Sequence, residues 1–526
     1  MSWQRGFIWL CIERGDLHEG ESSKVESAYI CHYTINNFVK RFSPMDFKSI
    51  QFGKASGETE GAELPQLVSD GFLDSGVVEQ FLSRDRFLLL GRKGAGKSLL
   101  GEKLKQIAAS SGGELGVRVV HIADFPYSTF AEMFSSGIEP GARYPTSWAW
   151  ILTLVLADCL EQHLGANRAL NIDGNKALDK LRDVGLLPTT DLRRIVIQST
   201  KSSFKASIPK LLDYQREKSF SGDGGDLGFV NLVEGMKSLI RGYSFSGSQL
   251  LVIDGLDDVM SRPTVQFDAL AALAYECGRL NEWLHTEARQ IGIVLLCRTD
   301  IFESLPGPNK NKVRQDSAVE LDWFQSTYRA DESNLIRLAN LRASFSLKRD
   351  VNVLKEFFPS HMDHAVATTK FLLDLTRHTP RDFLQLLKHM QGVSRSSTSD
   401  QLTIRDVLDG ARSYSEKYFL PEIKDELVGY VAVEDFSSFL SCVGEIRQRQ
   451  FSVATLATVA ERIGLPRQRL DVILRAMFAC SAIGMYWFTP TETHRFEFKF
   501  RNPNAVFDPS RTVLLHKGLW KALNLI

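Results

Sequence analysis

One segment constrains this chain more than any other part of its sequence: Gly91-x4-Gly96-Lys97-Ser98. It follows the apolar run 87–90 and precedes 99–107, where apolar residues recur at helical spacing. Between a strand and a helix, such a loop turns its backbone N–H groups toward a phosphate, and the helix N-terminus favours negative charge. The sequence therefore predicts a phosphate-binding P-loop after a buried parallel strand.

The side chains of this loop predict a nucleotide as the ligand. Lys97 is placed to reach the β- and γ-phosphates, and the Ser98 hydroxyl is placed to coordinate Mg²⁺. No Asn-Lys-x-Asp guanine motif follows the core strands, which favours ATP. We therefore predict ATP and Mg²⁺ as cofactors, with loop contacts from Gly91, Gly94, Gly96, Lys97, Ser98 and Leu99.

A second apolar run, 250–253, ends at Asp254 and predicts another buried strand. Its terminal carboxylate would hold Mg²⁺ through water, and a nearby acid would orient the attacking water. Asp257 and Asp258 are both candidates for that acid, and the sequence does not choose between them. A third apolar run, 291–297, is followed directly by Arg298.

Alternating strand and helix patterns followed by helical patterns predict an α/β fold with a parallel sheet and helical appendages. Within it, residues 47–75 are expected to be irregular, since they carry several glycines and Pro65. The predicted domains are an N-terminal extension, a P-loop core with a helical insertion at about 126–247, a helical lid and a winged helix, at 1–46, 47–320, 321–430 and 431–526.

Composition excludes several classes of protein. The chain of 526 residues has a net charge of zero, which argues against a globally basic nucleic-acid coat. Seven cysteines without Cys-x-x-Cys spacing suggest neither a disulfide framework nor a zinc ribbon. The most hydrophobic run, 148–157, is about half the length of a membrane span, and Asp158 ends it. We expect a soluble cytoplasmic protein with no membrane partner.

About the last 95 residues combine helices, a predicted hairpin and positive charge. Three helical patterns between 436 and 479 precede alternating segments at 484–488 and 495–500, which is winged-helix order. From Arg447 to Ile526 there are 12 basic and 5 acidic residues, a net charge of +7. Arg467, Arg469 and Arg475 would lie on the helix that enters a major groove. This surface could contact duplex DNA or clamp the core.

Three segments carry a resemblance to the STAND class of P-loop ATPases, the NACHT and KAP-like proteins. Residues 250–258 resemble its extended Walker B, although the usual final Asp-Glu pair is Asp257-Asp258 here. Arg298 is similar to the arginine that senses the γ-phosphate. Residues 378–384 resemble the lid segment, in which Pro380 would pack on the base and Arg381 would approach the phosphates. The usual glycine of that segment is replaced by His378.

The wider arrangement resembles a group of bacterial P-loop ATPases with a "GRKGAGKS"-like loop. The resemblance implies an ATP-hydrolysing switch that couples nucleotide state to a homo-oligomer or a protein partner, with a role in anti-phage defence as a hypothesis. It also implies that the winged helix clamps the core. The alternative is a DNA-dependent AAA+-like ATPase that binds duplex DNA through the winged helix. A scaffold that binds nucleotide without hydrolysis is a third interpretation, because Asp258 is shorter than the usual glutamate.

Overall fold

The computed structural model describes residues 46–526 except 123–124, 134–139, 164–171, 190, 202–226, 244–245, 257–262, 288–289, 308–309, 326–331, 364–365, 394–400, 489–493 and 526. The chain divides into two compact units, Met1–Ser49 and Ile50–Ile526. In the first unit the described residues form helix α1 (Asp46–Ser49). The predicted extension 1–46 thus lies almost wholly outside the described residues.

A five-stranded parallel sheet forms the centre of the second unit, in the order β2-β3-β4-β1-β5. Its strands are β1 (Leu88–Gly91), β2 (Leu115–His121), β3 (Ser248–Asp254), β4 (Ile291–Arg298) and β5 (Ala318–Leu321). The fold is α/β with a parallel P-loop sheet, as predicted. The sequence analysis did not identify β5, because an edge strand of four residues leaves no long apolar run.

Helices cover both faces of the sheet. Leu89, Val252 and Leu296 pack on one face with α4 and α5, whereas Leu90 and Ile253 pack on the other with the insertion helices. Successive side chains of each strand point to opposite faces of the sheet, so both faces of the sheet are buried. The helices up to β5 are α2 (Gly57–Glu63), α3 (Pro65–Asp70), α4 (Val77–Leu82), α5 (Lys97–Ser110), α6 (Tyr127–Glu132), α7 (Pro140–His163), α8 (Ile172–Asp183), α9 (Leu192–Thr200), α10 (Leu227–Gly242), α11 (Pro263–Thr286), α12 (Thr299–Ser304) and α13 (Lys310–Ser317).

Helices α6 to α10 lie between β2 and β3, where the sequence predicted a helical insertion. The apolar residues of α7 are buried in the main core, and Asp158 is buried with them. Its carboxylate pairs with Arg118 of β2 at 2.5 Å and accepts a hydrogen bond from the Thr189 N–H at 3.0 Å. A buried carboxylate needs such partners. Asp158, which ends the apolar run 148–157, therefore attaches the helical insertion to the sheet.

The expectation of an irregular segment at 47–75 was wrong, because α2 and α3 lie within it. Gly57 and Gly61 are one helical turn apart on α2 and face α5. A Cβ atom on Gly57 would lie 2.7 Å from the Leu99 backbone nitrogen, so glycine allows the two helices to approach closely. These glycines serve helix packing.

Most elements after β5 are helical, as predicted. They are α14 (Asn334–Leu347), α15 (Val353–Phe357), the short strands β6 (His361–Asp363) and β7 (Val366–Ala367), α16 (Thr368–Asp374), α17 (Pro380–Val393), α18 (Ile404–Tyr414), a π-helix (Ser415–Phe419) and α19 (Leu420–Leu427). A buried ion pair of 2.6 Å joins Arg342 of α14 to Glu60 of α2. The Arg342 guanidinium also donates to the Phe52 carbonyl at 2.6 Å. The helices after β5 thus hold the segment that precedes α2.

In its described residues, the C-terminal part has four helices and a four-stranded sheet, with the strand order β10-β9-β11-β8. The elements are α20 (Val433–Ile446), β8 (Gln450–Phe451), α21 (Val453–Arg462), α22 (Arg467–Ala479), β9 (Ile483–Phe488), β10 (His494–Glu497), β11 (Thr512–Leu515) and α23 (Lys517–Trp520). The predicted hairpin is present as β9 and β10, although β10 ends before the buried Phe498. Strands β8 and β11 were not predicted. Among the described residues, no helix is both long and apolar enough to cross a membrane.

Candidate functional site

The P-loop joins β1 to α5 at the carboxyl edge of the sheet. Gly94 and Gly96 have φ values of 79° and 99°, in the left-handed region that favours glycine. Gly96 is the residue before the first turn of α5, and Lys97 and Ser98 begin that helix. The backbone N–H groups at a helix N-terminus are available to an anion. The loop therefore has the geometry that phosphate binding requires.

Lys97 lies over this loop and is buried, with 5% of its surface exposed. Its Nζ atom donates to the carbonyl oxygens of Gly91 and Arg92 at 3.2 and 3.3 Å. A buried ammonium group in contact with carbonyl oxygens is placed to exchange them for the oxygens of a phosphate.

Asp254 lies at the same edge, at the end of β3, and is buried. One of its carboxylate oxygens accepts a hydrogen bond from the Gly255 N–H at 2.8 Å. Strand register places Asp254 beside His121, the last residue of β2. Asp257 and Asp258 lie outside the described residues, so the choice between them stays open.

Arg298 ends β4, and strand register places it directly beside Gly91. Its guanidinium forms two hydrogen bonds with the Asp300 carboxylate, at 2.7 and 3.0 Å. Burial tends to raise the pKa of Asp300, but Arg298 and Lys97 outweigh it, and the pKa is lowered. The arginine is thus close to the P-loop and paired with its own acid.

Glu58 comes from the first turn of α2 and reaches the start of α5. Its carboxylate accepts hydrogen bonds from the hydroxyl groups of Ser56 and Ser98. Burial opposes ionisation, but these hydrogen bonds and the charge of His121 lower the pKa of Glu58. An ionised carboxylate therefore contacts the hydroxyl group that was predicted to bind metal.

Residues 378–384 contact the P-loop through a backbone hydrogen bond. The N–H of Arg381 donates to the Gly94 carbonyl oxygen at 3.2 Å. Pro380 begins α17, and the Thr379 hydroxyl caps that helix by accepting from the Asp382 N–H at 3.2 Å. His378 has a φ of 54°, in the left-handed region that favours glycine.

A cavity of about 230 Å³ opens beside the P-loop. Ala55 lines it from the segment before α2, Val77 from α4, Leu338 from α14 and Pro380 from α17. The indole of Trp323 closes another side and donates to the Ala95 carbonyl oxygen at 2.9 Å. A cavity next to a phosphate loop, lined by both apolar and polar side chains, suits a nucleotide base.

Two cations of the P-loop contact residues that follow the parallel sheet in the sequence. The Lys93 ammonium lies 3.0 Å from the Glu422 carboxylate of α19. Arg92 donates to the Arg377 carbonyl oxygen at 3.0 Å, and its guanidinium lies over the Phe500 ring at 5.6 Å. Burial and the neighbouring Arg377 lower the pKa of Arg92 to about 10, so it stays charged at neutral pH.

A family model described as the FunZ-associated C-terminal helical domain matches residues 333–420. No curated protein matches the sequence.

Similar solved structures include the ORC1 protein of Aeropyrum pernix in complex with DNA, with 13% identity, coverage of 88% of this chain and 94% of that chain, and a TM-score of 0.39. They also include Drosophila ORC bound to DNA, with 10% identity, coverage of 88% and 90%, and a TM-score of 0.29. Cdc6p from Pyrobaculum aerophilum has 12% identity, coverage of 87% and 97%, and a TM-score of 0.30.

The structure brings most of the predicted site residues to one edge of the sheet. Cavity-lining residues among them are Gly94, Gly96, Lys97, Ser98, Leu99 and Pro380. Sequence analysis missed Glu58, His121, Trp323 and Glu422. A signal existed for His121, because it ends a strand that precedes Asp254 at the same sheet edge. Glu58 had no local signal, since packing of α2 alone brings it to Ser98.

Proposed function

We propose that this chain is a P-loop ATPase in which the nucleotide controls the position of the helices after the core. In this proposal residues 47–320 are the ATPase core, 321–430 the lid and 431–526 the winged helix. Contacts between the P-loop and the later helices favour a STAND-like switch as the form of this ATPase. A role in anti-phage defence stays a hypothesis that rests on the resemblance alone.

One observation carries the proposal: the lid binds the P-loop itself. Gly94 accepts from Arg381, and Lys93 pairs with Glu422, so the loop that would hold phosphate already contacts two later helices. A phosphate that moves Gly94 or Lys93 must alter these contacts. Such a differential contact is what a nucleotide needs in order to shift a conformational equilibrium.

The roles of individual residues follow from their positions. Lys97 and the N–H groups of the loop would bind the phosphates, and Pro380 would pack against the base. Ser98 and Asp254 offer the oxygen ligands that suit Mg²⁺, which would polarise the γ-phosphate. Arg298 would exchange Asp300 for the γ-phosphate, because a phosphate is a competing bidentate acceptor.

The test is phosphate release from the purified chain with Mg·ATP, beside Lys97→Ala. Removing a charge-assisted contact of about 1.5–3 kcal/mol is expected to weaken nucleotide binding by about 10- to 100-fold. Lys103→Ala is the matched control, since Lys103 lies on the same helix and binds the Ser69 carbonyl oxygen at 2.6 Å. Equal release by wild type and Lys97→Ala would refute the ATPase proposal.

Duplex DNA binding through the C-terminal part is a second candidate function. Arg467 of α22 and Arg495 of β10 are exposed, which favours contact with phosphates. Arg469 and Arg475, however, pair with Asp435 and Asp471 at 3.0 and 2.7 Å. The positive surface is thus partly neutralised within the chain.

DNA binding is tested by titrating duplex at several salt concentrations. The DNA proposal expects affinity that falls steeply with salt and is lost in the Arg467→Ala/Arg469→Ala double variant. Arg412→Ala, an exposed arginine of α18, is the control. DNA binding that does not respond to salt would refute the DNA-binding proposal. ATP hydrolysis that rises about tenfold with duplex would instead make the DNA-dependent ATPase the better proposal.

A further inference from the structure

Three side chains from separate elements meet beside the P-loop. Glu58 comes from α2, His121 from the end of β2 and Asp254 from the end of β3. A carboxylate oxygen or imidazole nitrogen from each lies within 4.8 Å of the other two. Ligand atoms that bind one ion at about 2.1 Å lie at most about 4.2 Å apart. Small rotations of the exposed Glu58 and His121 side chains would close that gap.

The backbone holds these three residues in place. His121 and Asp254 are paired in the strand register, and the Ile122 N–H donates to the Asp254 carbonyl oxygen at 2.8 Å. On the other side, Gly57 lets α2 approach the Leu99 backbone, so the next residue, Glu58, reaches the sheet edge. The cluster therefore depends on close packing of rigid elements, which is how proteins position metal ligands.

The charge of the cluster suits a divalent cation. Glu58 supplies one carboxylate, from an exposed position on α2. Asp254 supplies a second carboxylate, from a buried position. With a neutral imidazole, the three side chains carry two negative charges, which one divalent ion balances.

We propose that Glu58, His121 and Asp254 form a metal site that takes a first-row transition-metal ion such as Mn²⁺ in preference to Mg²⁺. Mg²⁺ favours oxygen ligands and retains its waters, whereas an imidazole nitrogen favours transition metals. The ATPase proposal needs only Ser98 and Asp254 as protein ligands. The present site is formed by the chain itself and binds its ion without nucleotide.

The probe is Mn²⁺, titrated into the full chain without nucleotide and followed by the loss of the free-ion signal in electron paramagnetic resonance. His121→Asn and Glu58→Gln are the test variants, and both side chains are exposed, so folding is expected to survive. The controls His285→Asn and Glu79→Gln change exposed residues of α11 and α4. Thermal unfolding confirms that each variant is folded.

The site predicts that both test variants bind Mn²⁺ at least about tenfold more weakly than wild type and the controls. Pulsed electron paramagnetic resonance should show ¹⁴N coupling that disappears in His121→Asn. Absence of that coupling, unchanged affinity in His121→Asn, or displacement of Mn²⁺ by equimolar Mg²⁺ would each overturn the proposal. Lys97→Ala should lose nucleotide and keep Mn²⁺, which separates this proposal from the ATPase proposal.

Discussion

The ammonium of Lys93 lies 3.0 Å from the carboxylate of Glu422, and this ion pair ties the P-loop to helix α19. The two residues are far apart in the sequence. The same carboxylate lies 3.4 Å from the guanidinium of Arg381. Glu422 is therefore a single anchor for two cations at the mouth of the candidate site.

Substitution of this anchor is expected to speed nucleotide exchange. Glu422→Gln weakens both ion pairs, and a loss of about 1 kcal/mol would make release of a bound nucleotide about fivefold faster. Stopped-flow release of a fluorescent ADP analogue measures the rate. Glu416→Gln is the control, because Glu416 forms an exposed helical pair with Arg412. Unchanged release in Glu422→Gln would show that the anchor does not hold the lid.

Close approach of α2 to α5 can be tested with one added methyl group. Gly57→Ala would place a Cβ atom 2.7 Å from the Leu99 nitrogen, so α2 must move. We expect a loss of about 1–3 kcal/mol in the free energy of unfolding, together with weaker Mn²⁺ binding. Gly444→Ala, in a helix with open space around it, should be neutral or slightly stabilising. Denaturant titration of both variants makes the comparison.

The buried pair of Glu60 and Arg342 should respond strongly to loss of one partner. The two side chains are 2% and 1% exposed, and Arg342→Met would leave a buried carboxylate unpaired. We expect destabilisation of about 3–5 kcal/mol in denaturant titration, with partial recovery in Glu60→Gln/Arg342→Met. Arg349→Met, which breaks an exposed pair, should change stability by less than about 1 kcal/mol. A mild effect of Arg342→Met would contradict the proposed importance of this pair.

Stability is expected to fall as the pH drops below about 6.5. Burial, with repulsion from Arg377, lowers the pKa of His516 from 6.5 to about 3, and burial lowers that of His378 to about 4. Both fold as neutral groups, so the unfolded chain takes up more protons between pH 6.5 and 4, and stability rises with pH there. Each histidine contributes up to about 1.4 kcal/mol per pH unit to the slope of the free energy of unfolding against pH.

His516→Asn tests this pH dependence. Asparagine keeps an acceptor for the Gly518 N–H, which His516 caps at 3.1 Å, but does not titrate. The variant should show a flatter fall in thermal unfolding temperature between pH 6.5 and 4, whereas His285→Asn should follow wild type. The lowered pKa of Asp382, about 2, where Arg377 outweighs burial, acts only below about pH 4. Parallel curves for wild type and His516→Asn would disprove the assignment.

Much of the core could be predicted because its signals are local. The runs that end at Gly91, Asp254 and Arg298 are apolar for several residues in succession, as strands buried on both faces must be. The spacing of Gly91, Gly96 and Lys97 likewise reflects a loop that must curve within eight residues. Short edge strands such as β5 and β8 carry weaker patterns, since they span only four and two residues.

The sequence by itself determined the P-loop and the strand that ends at Asp254, because each depends on neighbouring residues. Only the tertiary structure decided that Glu58 and His121 meet Asp254, and that Lys93 meets Glu422. Those contacts depend on strand order and on how closely the helices pack. Neither property produces a periodic pattern in the sequence. The motifs of this sequence therefore predict local structure, but they do not predict the contacts between residues that are distant in sequence.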